Sequence, residues 1–414
     1  MKILTRFGLF GAAVPLAVAA GTGAAGNAAS AAGSWQNFGR SGWVTSWSAS
    51  PQGSAASFDD QTVRDIVFTS VGGDEVRLVL SNVFGITPLQ VGRATVAVSG
   101  SGAAVVPGTV GQVTVAGSAS FQIPAGAQML TDPVRMRVPA LHDLAVSLYL
   151  PDQTGAATNH SDAQQVNWVS AGDHAADTGG GAFTTETQSW YYVSDLIVRS
   201  PRAAGTVVAF GDSITDGFQS TVGANARWPN DLARRLDALH GPTLSVADEG
   251  ISGNRIVPDT LHRGVSALAR FERDALDQAG VRTIILLEGI NDFGFSATPP
   301  NPLTDVSAGQ VIAGYQQLIA QAHARGLKII GATLLPFKGA GYYTVAAEAK
   351  REAVNDWIRH SGAFDAVIDF DRLIRDPSDP LTMNPAYDSG DHLHPNDAGY
   401  QVLANAINLN MLSR

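Results

Sequence analysis

Four short stretches of the chain carry side chains fit for acyl transfer. In "VVAFGDSITDG" (207–217) an apolar run ends on Gly211, Asp212 and Ser213. "EGISGNR" (249–255) holds Gly250, Ser252, Gly253 and Asn254, and "EGIND" (288–292) holds Gly289, Asn291 and Asp292. "DHLHPNDAGY" (391–400) holds Asp391, His392, His394 and Pro395. A serine hydroxyl needs a base to take its proton, and a neutral imidazole can do that near pH 7. The imidazole in turn needs a partner that holds its tautomer and steadies its charge. Asp391 stands three residues before His394, so one loop can present both. A developing oxyanion needs donors fixed in advance. The Ser213 amide at the start of a helix, the Gly253 amide and the Asn291 side chain are the candidates. Glycine at 253 lets the backbone approach a substrate with no side chain between them.

Each of these residues has a simpler use. Ser213 can be a helix cap, Gly253 a turn glycine and Asn291 a turn residue. Asp212 fits a local hydrogen-bonding role better than that of a second acid. "DHLH" has the residue types of half a metal site, but no second cluster of histidines or carboxylates completes it, so neither metal nor cofactor is expected. No serine has glycine at both −2 and +2, which excludes the G-x-S-x-G elbow of the α/β-hydrolases. Phe293 and Phe337 follow strand ends and suit either a pocket wall or the core. Trp228-Pro229 opens a helix and should pack. Trp43, Trp47, Trp168 and Trp190 suit either the core or stacking on sugar rings.

The elements that would carry these groups fall into two halves. From about Trp43 to Ser200 the apolar pattern has a period of two, as in "DLAVSLYL" (143–150), where Leu144, Val146, Leu148 and Leu150 share one side. Short strands separated by Gly, Pro, Asn and Asp predict an antiparallel, jelly-roll-like sandwich, with a hairpin turning at Gly72-Gly73. After "SPRAAG" (200–205), apolar strands at 206–210, 243–248, 283–289, 327–335 and 366–370 alternate with helices at about 228–240, 264–279, 306–325, 344–360 and 396–411. That alternation predicts a parallel sheet covered on both faces, with function gathered at the carboxyl ends of its strands. All four polar stretches lie at that edge.

The segments "GDSITDG", "ISGN", "GIND" and "DHLHP" resemble the four sequence blocks of the SGNH (GDSL-type) hydrolases. The resemblance spans about residues 206–412 and implies Ser-His-Asp ester hydrolysis on a flavodoxin-like, three-layer αβα fold. It implies Ser213 as nucleophile, His394 as base, Asp391 as the group that orients it, and Gly253 and Asn291 as oxyanion donors beside the Ser213 amide. Ile290 stands between Gly289 and Asn291, at a variable position of the third block. "WVTSWSASP" (43–51) is similar to the opening of secreted bacterial members that carry a β-domain ahead of the catalytic one.

Composition bounds the rest. The 414 residues have a formal net charge of −10, with 45% hydrophobic and 15% charged residues and no cysteine. This is globular material that relies on its cores rather than on disulfides. The charge argues against nucleic-acid partners and against electrostatic attachment to anionic lipid. Lys2 and Arg6, the apolar run Phe7–Ala20 and the small residues up to Gly33 predict a cleaved export signal, and no later segment is long and apolar enough to span a membrane. The expected organisation is a signal peptide at 1–32, an accessory β-sandwich at 42–200 and the hydrolase domain at 205–414. The expected protein is a secreted, monomeric esterase acting on short-chain acyl esters, chiefly acetyl, of carbohydrate, with an acylated polysaccharide as its partner. An extracellular lipase or phospholipase, and a non-catalytic glycan-binding surface protein, are the alternatives.

Overall fold

The computed structural model describes residues 42–260, 263–295 and 305–412. The export signal expected over 1–32 lies outside them. From Trp43 to Arg199 the strands are antiparallel. One sheet has Trp43–Ser48, Val193–Arg199, Gly73–Ser81 and Val134–Val138 side by side, with Gln128–Leu130 also on Gly73–Ser81. A six-stranded sheet runs Thr185–Thr187, Asn167–Ala171, Gln61–Thr69, His142–Leu150, Arg93–Val98, Gly111–Val113. The two sheets share one apolar core, in which Leu144, Val146, Leu148 and Leu150 meet Leu78, Leu80, Leu196 and Val198. The sandwich therefore rests on the period-two pattern, which puts one row of side chains inside.

The Gly72-Gly73 hairpin is not formed. Gln61–Thr69 and Gly73–Ser81 belong to different sheets, and the chain crosses between them at these glycines. A Cβ on Gly72 would lie 2.5 Å from the Val138 carbonyl oxygen, and one on Gly73 would lie 2.3 Å from that of Arg199. The glycines allow close backbone approach rather than a tight turn.

The second half is a parallel sheet of β1 (Ala203–Gly211), β2 (Thr243–Gly250), β3 (Val281–Leu287), β4 (Lys328–Ala332) and β5 (Ala366–Ile368), in the order β2-β1-β3-β4-β5. This is the flavodoxin-like strand order, whose switch point falls between β1 and β3. Val207, Val208, Ala209 and Phe210 of β1 are fully buried, as a strand covered on both faces requires. The helices are α1 (Ser213–Asp216), α2 (Trp228–Asp237), α3 (Ala267–Phe271), α4 (Ile290–Gly294), α5 (Ala308–Ala324), α6 (Val345–His360), α7 (Phe370–Ile374) and α8 (Asp397–Ala406). Their starts follow the sequence. Pro229 opens α2, and Ser307 with Gln310 makes a capping box on α5. Thr344 caps α6 and Asn396 caps α8.

Two helices depart from the expected spans. The 264–279 segment is α3 continued by a π-helical turn, Glu272–Leu276. The wide turn keeps Phe271, Ala275 and Leu276 in the core while Arg270 and Asp274 remain buried and paired. The 396–411 segment breaks after Ala406, because the Arg235 guanidinium takes the carbonyls of Ala404 and Ile407.

The two halves meet along a polar, buried seam. Thr45 exchanges hydrogen bonds with Ala279, its amide donating to the Ala279 carbonyl and its hydroxyl accepting the Ala279 amide, each 3.0 Å. The Ser48 hydroxyl donates to the Asp248 carbonyl (3.1 Å), and the Val246 amide donates to the Ser70 hydroxyl (3.0 Å). Ser50 donates to the Glu249 carboxylate (2.5 Å) and accepts from Arg270 (2.9 Å). Hydroxyls of "WVTSWSASP" are thus among the groups that bind the sandwich to β2 and to the helix behind it. Trp43, Trp47 and Trp190 are buried, with Trp47 edge-on to Trp190 at 5.0 Å, so these rings serve packing and not sugar stacking.

Candidate active site

Ser213 is the first residue of α1. Asp212 before it is the N-cap, its carboxylate accepting the Ile214 amide at 3.0 Å. Burial pushes Asp212 up to about 7, with the nearby Asp292 charge adding to the shift against the pull of the Ile214 amide. The cap thus falls on Asp212, leaving the Ser213 hydroxyl for other work. Ser213 Oγ lies 2.8 Å from His394 Nε2, across 181 residues of sequence. His394 Nδ1 lies 2.6 Å from Asp391 Oδ2. The other Asp391 oxygen accepts the amides of Leu393 (2.9 Å) and His394 (2.8 Å). Partial burial works against the charge on Asp391. The hydrogen bonds and charge of His394, with the Leu393 amide, outweigh it and hold the carboxyl well below the usual carboxylate range.

The loop that carries this pair is pinned. Asn396 donates to the carbonyls of Ala386 and Asp388, both at 3.1 Å, and the Ser389 amide donates to the His394 carbonyl (3.0 Å). Phe218 lies against the imidazole, ring centres 4.8 Å apart. His392 points elsewhere. It is exposed, has φ +64° and pairs with Asp388 at 2.6 Å.

Gly253 and Asn291 converge on the same place. Gly253 has φ +79°, and a Cβ there would lie 2.2 Å from Cδ of Arg263. Its glycine therefore serves a left-handed turn packed under Arg263. Asn291, on α4 just after β3, donates from Nδ2 to the Asn254 carbonyl (3.0 Å) and accepts from the Tyr342 hydroxyl (3.2 Å). Asp292 binds the amides of Ile256 (2.7 Å) and Val257 (3.2 Å), tying the third stretch to the second. Burial raises Asp292 to about 6, offset in part by the Ile256 amide and Arg255.

Ser213, Gly253, Asn291 and His394 line a cavity of about 400 Å³. Its other walls are Phe218, Phe295, Tyr342 and Leu393, with Asp162, Ser252 and Arg263 as polar members. Phe293 and Phe337, which suited a pocket wall in the sequence, are fully buried in the core instead. Several contributors were given no role from the sequence. Asp216 lies within "GDSITDG" and Ser252 and Asn254 within "EGISGNR", yet what they contact depends on the fold. Asn254 donates to the carbonyls of Arg263 (2.8 Å) and Val265 (2.9 Å) and accepts from Arg270 (2.9 Å). Among the described residues no group of three or more His, Cys, Asp or Glu side chains could hold a metal ion, and no helix is long and apolar enough to cross a membrane.

The family match to known proteins falls within the parallel half. A family model described as the GDSL-like Lipase/Acylhydrolase family matches residues 209–402. No curated protein matches the chain. Among solved structures, a protein of the G-D-S-L family from Desulfitobacterium hafniense DCB-2 is 18% identical over 49% of this chain and 97% of its own, with a TM-score of 0.37. A GDSL-like lipase from Bacteroides thetaiotaomicron is 17% identical over 50% of this chain and 87% of its own, with a TM-score of 0.39. A variant of an acetyl xylan esterase from Geobacillus stearothermophilus is 20% identical over 51% of this chain and 95% of its own, with a TM-score of 0.41. With its serine at the end of β1 on a flavodoxin-like sheet, the region 209–402 is a domain of the GDSL-like lipase/acylhydrolase family, a family of carboxylic ester hydrolases.

Proposed function

We propose that the protein hydrolyses short-chain acyl esters of carbohydrate, chiefly acetyl esters, outside the cell, through an acyl-enzyme on Ser213. The observation that carries the reading is the unbroken chain of contacts from Ser213 Oγ to His394 (2.8 Å) and from His394 to Asp391 (2.6 Å) at the wall of the cavity. His394 Nε2 takes the Ser213 proton as Oγ attacks the ester carbonyl, while Asp391 holds the ring and steadies its positive charge. The tetrahedral oxyanion is met by the Ser213 and Gly253 amides and by the Asn291 amide group. His394 returns the proton to the departing alcohol. A water then repeats the sequence on the acyl-enzyme and releases the acid.

The size and lining of the cavity support this substrate class. About 400 Å³ is room for a short acyl group with part of an alcohol, and too little for a long chain lying wholly inside. Aromatic faces beside Asp162 and Arg263 suit an alcohol that has both a flat apolar face and hydroxyls, as a sugar has. The export-type beginning of the sequence supports an extracellular site of action.

The test is a panel of acetyl, butyryl and long-chain p-nitrophenyl esters beside acetylated xylan, with Ser213→Ala as control. Ser213→Ala should lose on the order of a thousandfold or more of its turnover while remaining folded. Retained turnover would refute the serine mechanism. A preference for the long-chain esters would move the substrate to lipid. A protein that a serine-directed phosphonate leaves unlabelled at Ser213 would be a binding module instead.

A further inference from the structure

The β-sandwich does more than flank the hydrolase site. Two of its residues reach the cavity region, one at the end of the strand Thr158–His160 and one in the loop that follows it. Asp162 lines the cavity directly. His160 is fully enclosed and lies between two oxygens, with Nδ1 3.0 Å from the Ser50 carbonyl and Nε2 3.0 Å from Asp216 Oδ1. Asp216 belongs to α1, three residues after Ser213. Its second oxygen accepts the Ser252 hydroxyl at 2.7 Å and the Ser252 amide at 3.0 Å. The next residue is Gly253, on the cavity wall.

We propose that His160 is a positioning residue of the hydrolase site, acting through Asp216 and Ser252 to aim the Gly253 amide at the oxyanion. The inference rests on the acyl-enzyme reading above, in which Gly253 is an oxyanion donor. The chemistry of the ring supports it. Both nitrogens face acceptors, so a neutral imidazole would leave one lone pair against an oxygen, whereas the doubly protonated ring donates to both. Burial disfavours that charge, but the Asp216 charge and hydrogen bond and the Ser50 carbonyl outweigh it and raise the ring above its ordinary value. The pair is fully enclosed, with the His160 and Asp216 side chains 3% and 4% exposed, so each is the other's polar partner in place of water. Without His160, Oδ1 of Asp216 loses its partner and the carboxylate is free to turn, so Ser252 loses the acceptor that fixes its turn. Arg227 reinforces the same joint, donating from Nε to the Asp216 carbonyl (2.8 Å) and from the guanidinium to the Ala163 carbonyl of the sandwich.

A residue that only stitches the domains together would act differently. It would lower the amount of folded protein without changing turnover per working site. The experiment therefore measures kcat and KM for p-nitrophenyl acetate in the full chain, with kcat expressed per site titrated by a serine-directed phosphonate. The variants are His160→Ala, His160→Gln, Ser252→Ala and the two double variants. His160→Ala should lower kcat per site on the order of tenfold with KM nearly unchanged, since a misaimed donor acts in the transition state. His160→Gln keeps a donor for Asp216 and should recover part of the loss. His160→Ala combined with Ser252→Ala should be little worse than the worse single change, because both break one relay. An unchanged kcat per site in His160→Ala, or losses that multiply in the double variant, would overturn the proposal. If His160→Ala does not fold, the cycle between His160→Gln and Ser252→Ala measures the same coupling. Failure of the acyl-enzyme reading would look different, as no phosphonate on Ser213 in the unaltered protein.

Discussion

Asn291 has two amide hydrogens, and the Asn254 carbonyl takes one of them at 3.0 Å. Among the described residues nothing takes the other, and the side chain lines the cavity. Its orientation is settled at both ends, because Nδ2 faces a carbonyl and Oδ1 faces the Tyr342 hydroxyl at 3.2 Å. An amide held in this way can meet developing charge without reorganising. Asn291→Ala should therefore lower kcat about a hundredfold with little change in KM, as steady-state kinetics on an aryl acetate would show. Tyr342→Phe should act in the same direction but more weakly, because it loosens the donor without removing it. Equal losses from the two changes would mean that Tyr342 touches the substrate itself.

At the scale of elements, the site depends on how closely β2 approaches α1. A Cβ on Gly250 would lie 2.1 Å from the Asp216 amide nitrogen and 2.6 Å from its Cα. These are backbone atoms of the short helix that starts at Ser213, so the clash cannot be relieved by a side-chain rotation. Gly250→Ala should cost about 1–3 kcal/mol of stability, seen as a lower thermal midpoint, and should reduce turnover as well by shifting Asp216. A variant with normal activity and a normal midpoint would show that this contact yields easily. The same closeness explains why Asp216 reaches both Ser252 and the sandwich. A helix of one turn pressed onto a strand end has few directions left for its last side chain.

Across the whole molecule, buried carboxylates concentrate around the seam and the sheet edge. Burial pushes Asp212 and Asp248 up to about 7, and Asp195 to about 6. For each, the folded protein holds its proton at pH values where the unfolded chain, near 3.9, has released it. Between those values the native state binds more protons, so stability falls as pH rises. His160, raised above its ordinary value by Asp216 against the opposing effect of burial, acts in the same direction. Its contribution is complete below the unfolded value of about 6.5 and fades above it. Asp391 acts oppositely, since its depressed value stabilises above the ordinary carboxylate range and is lost in acid. The unfolding midpoint should therefore peak in mild acid and decline from about pH 5 to about pH 8. Asp248→Asn keeps the oxygen that accepts the Gly250 amide at 3.1 Å and should flatten the alkaline side of that curve. A midpoint that rises steadily to pH 8 would contradict the balance of these groups.

What the sequence determined by itself was local. The period of two up to Ser200 and the strand–helix alternation after it separate the two architectures, because side-chain periodicity is set by backbone geometry within a few residues. The four polar stretches were legible for the same reason. Each follows or sits beside an element end marked by glycine, and a parallel sheet gathers such ends at one edge. What only the tertiary structure decided involves elements far apart in the chain. Gly72-Gly73 reads locally as a turn, yet the strands on either side find partners in different sheets. Phe293 and Phe218 are equally apolar, and only packing puts the first in the core and the second against His394. His160 lies 56 residues before Asp216, with nothing in its neighbourhood to mark it. A buried charge has a meaning only together with the partner that keeps it charged, and that partner is chosen when the two halves close on each other.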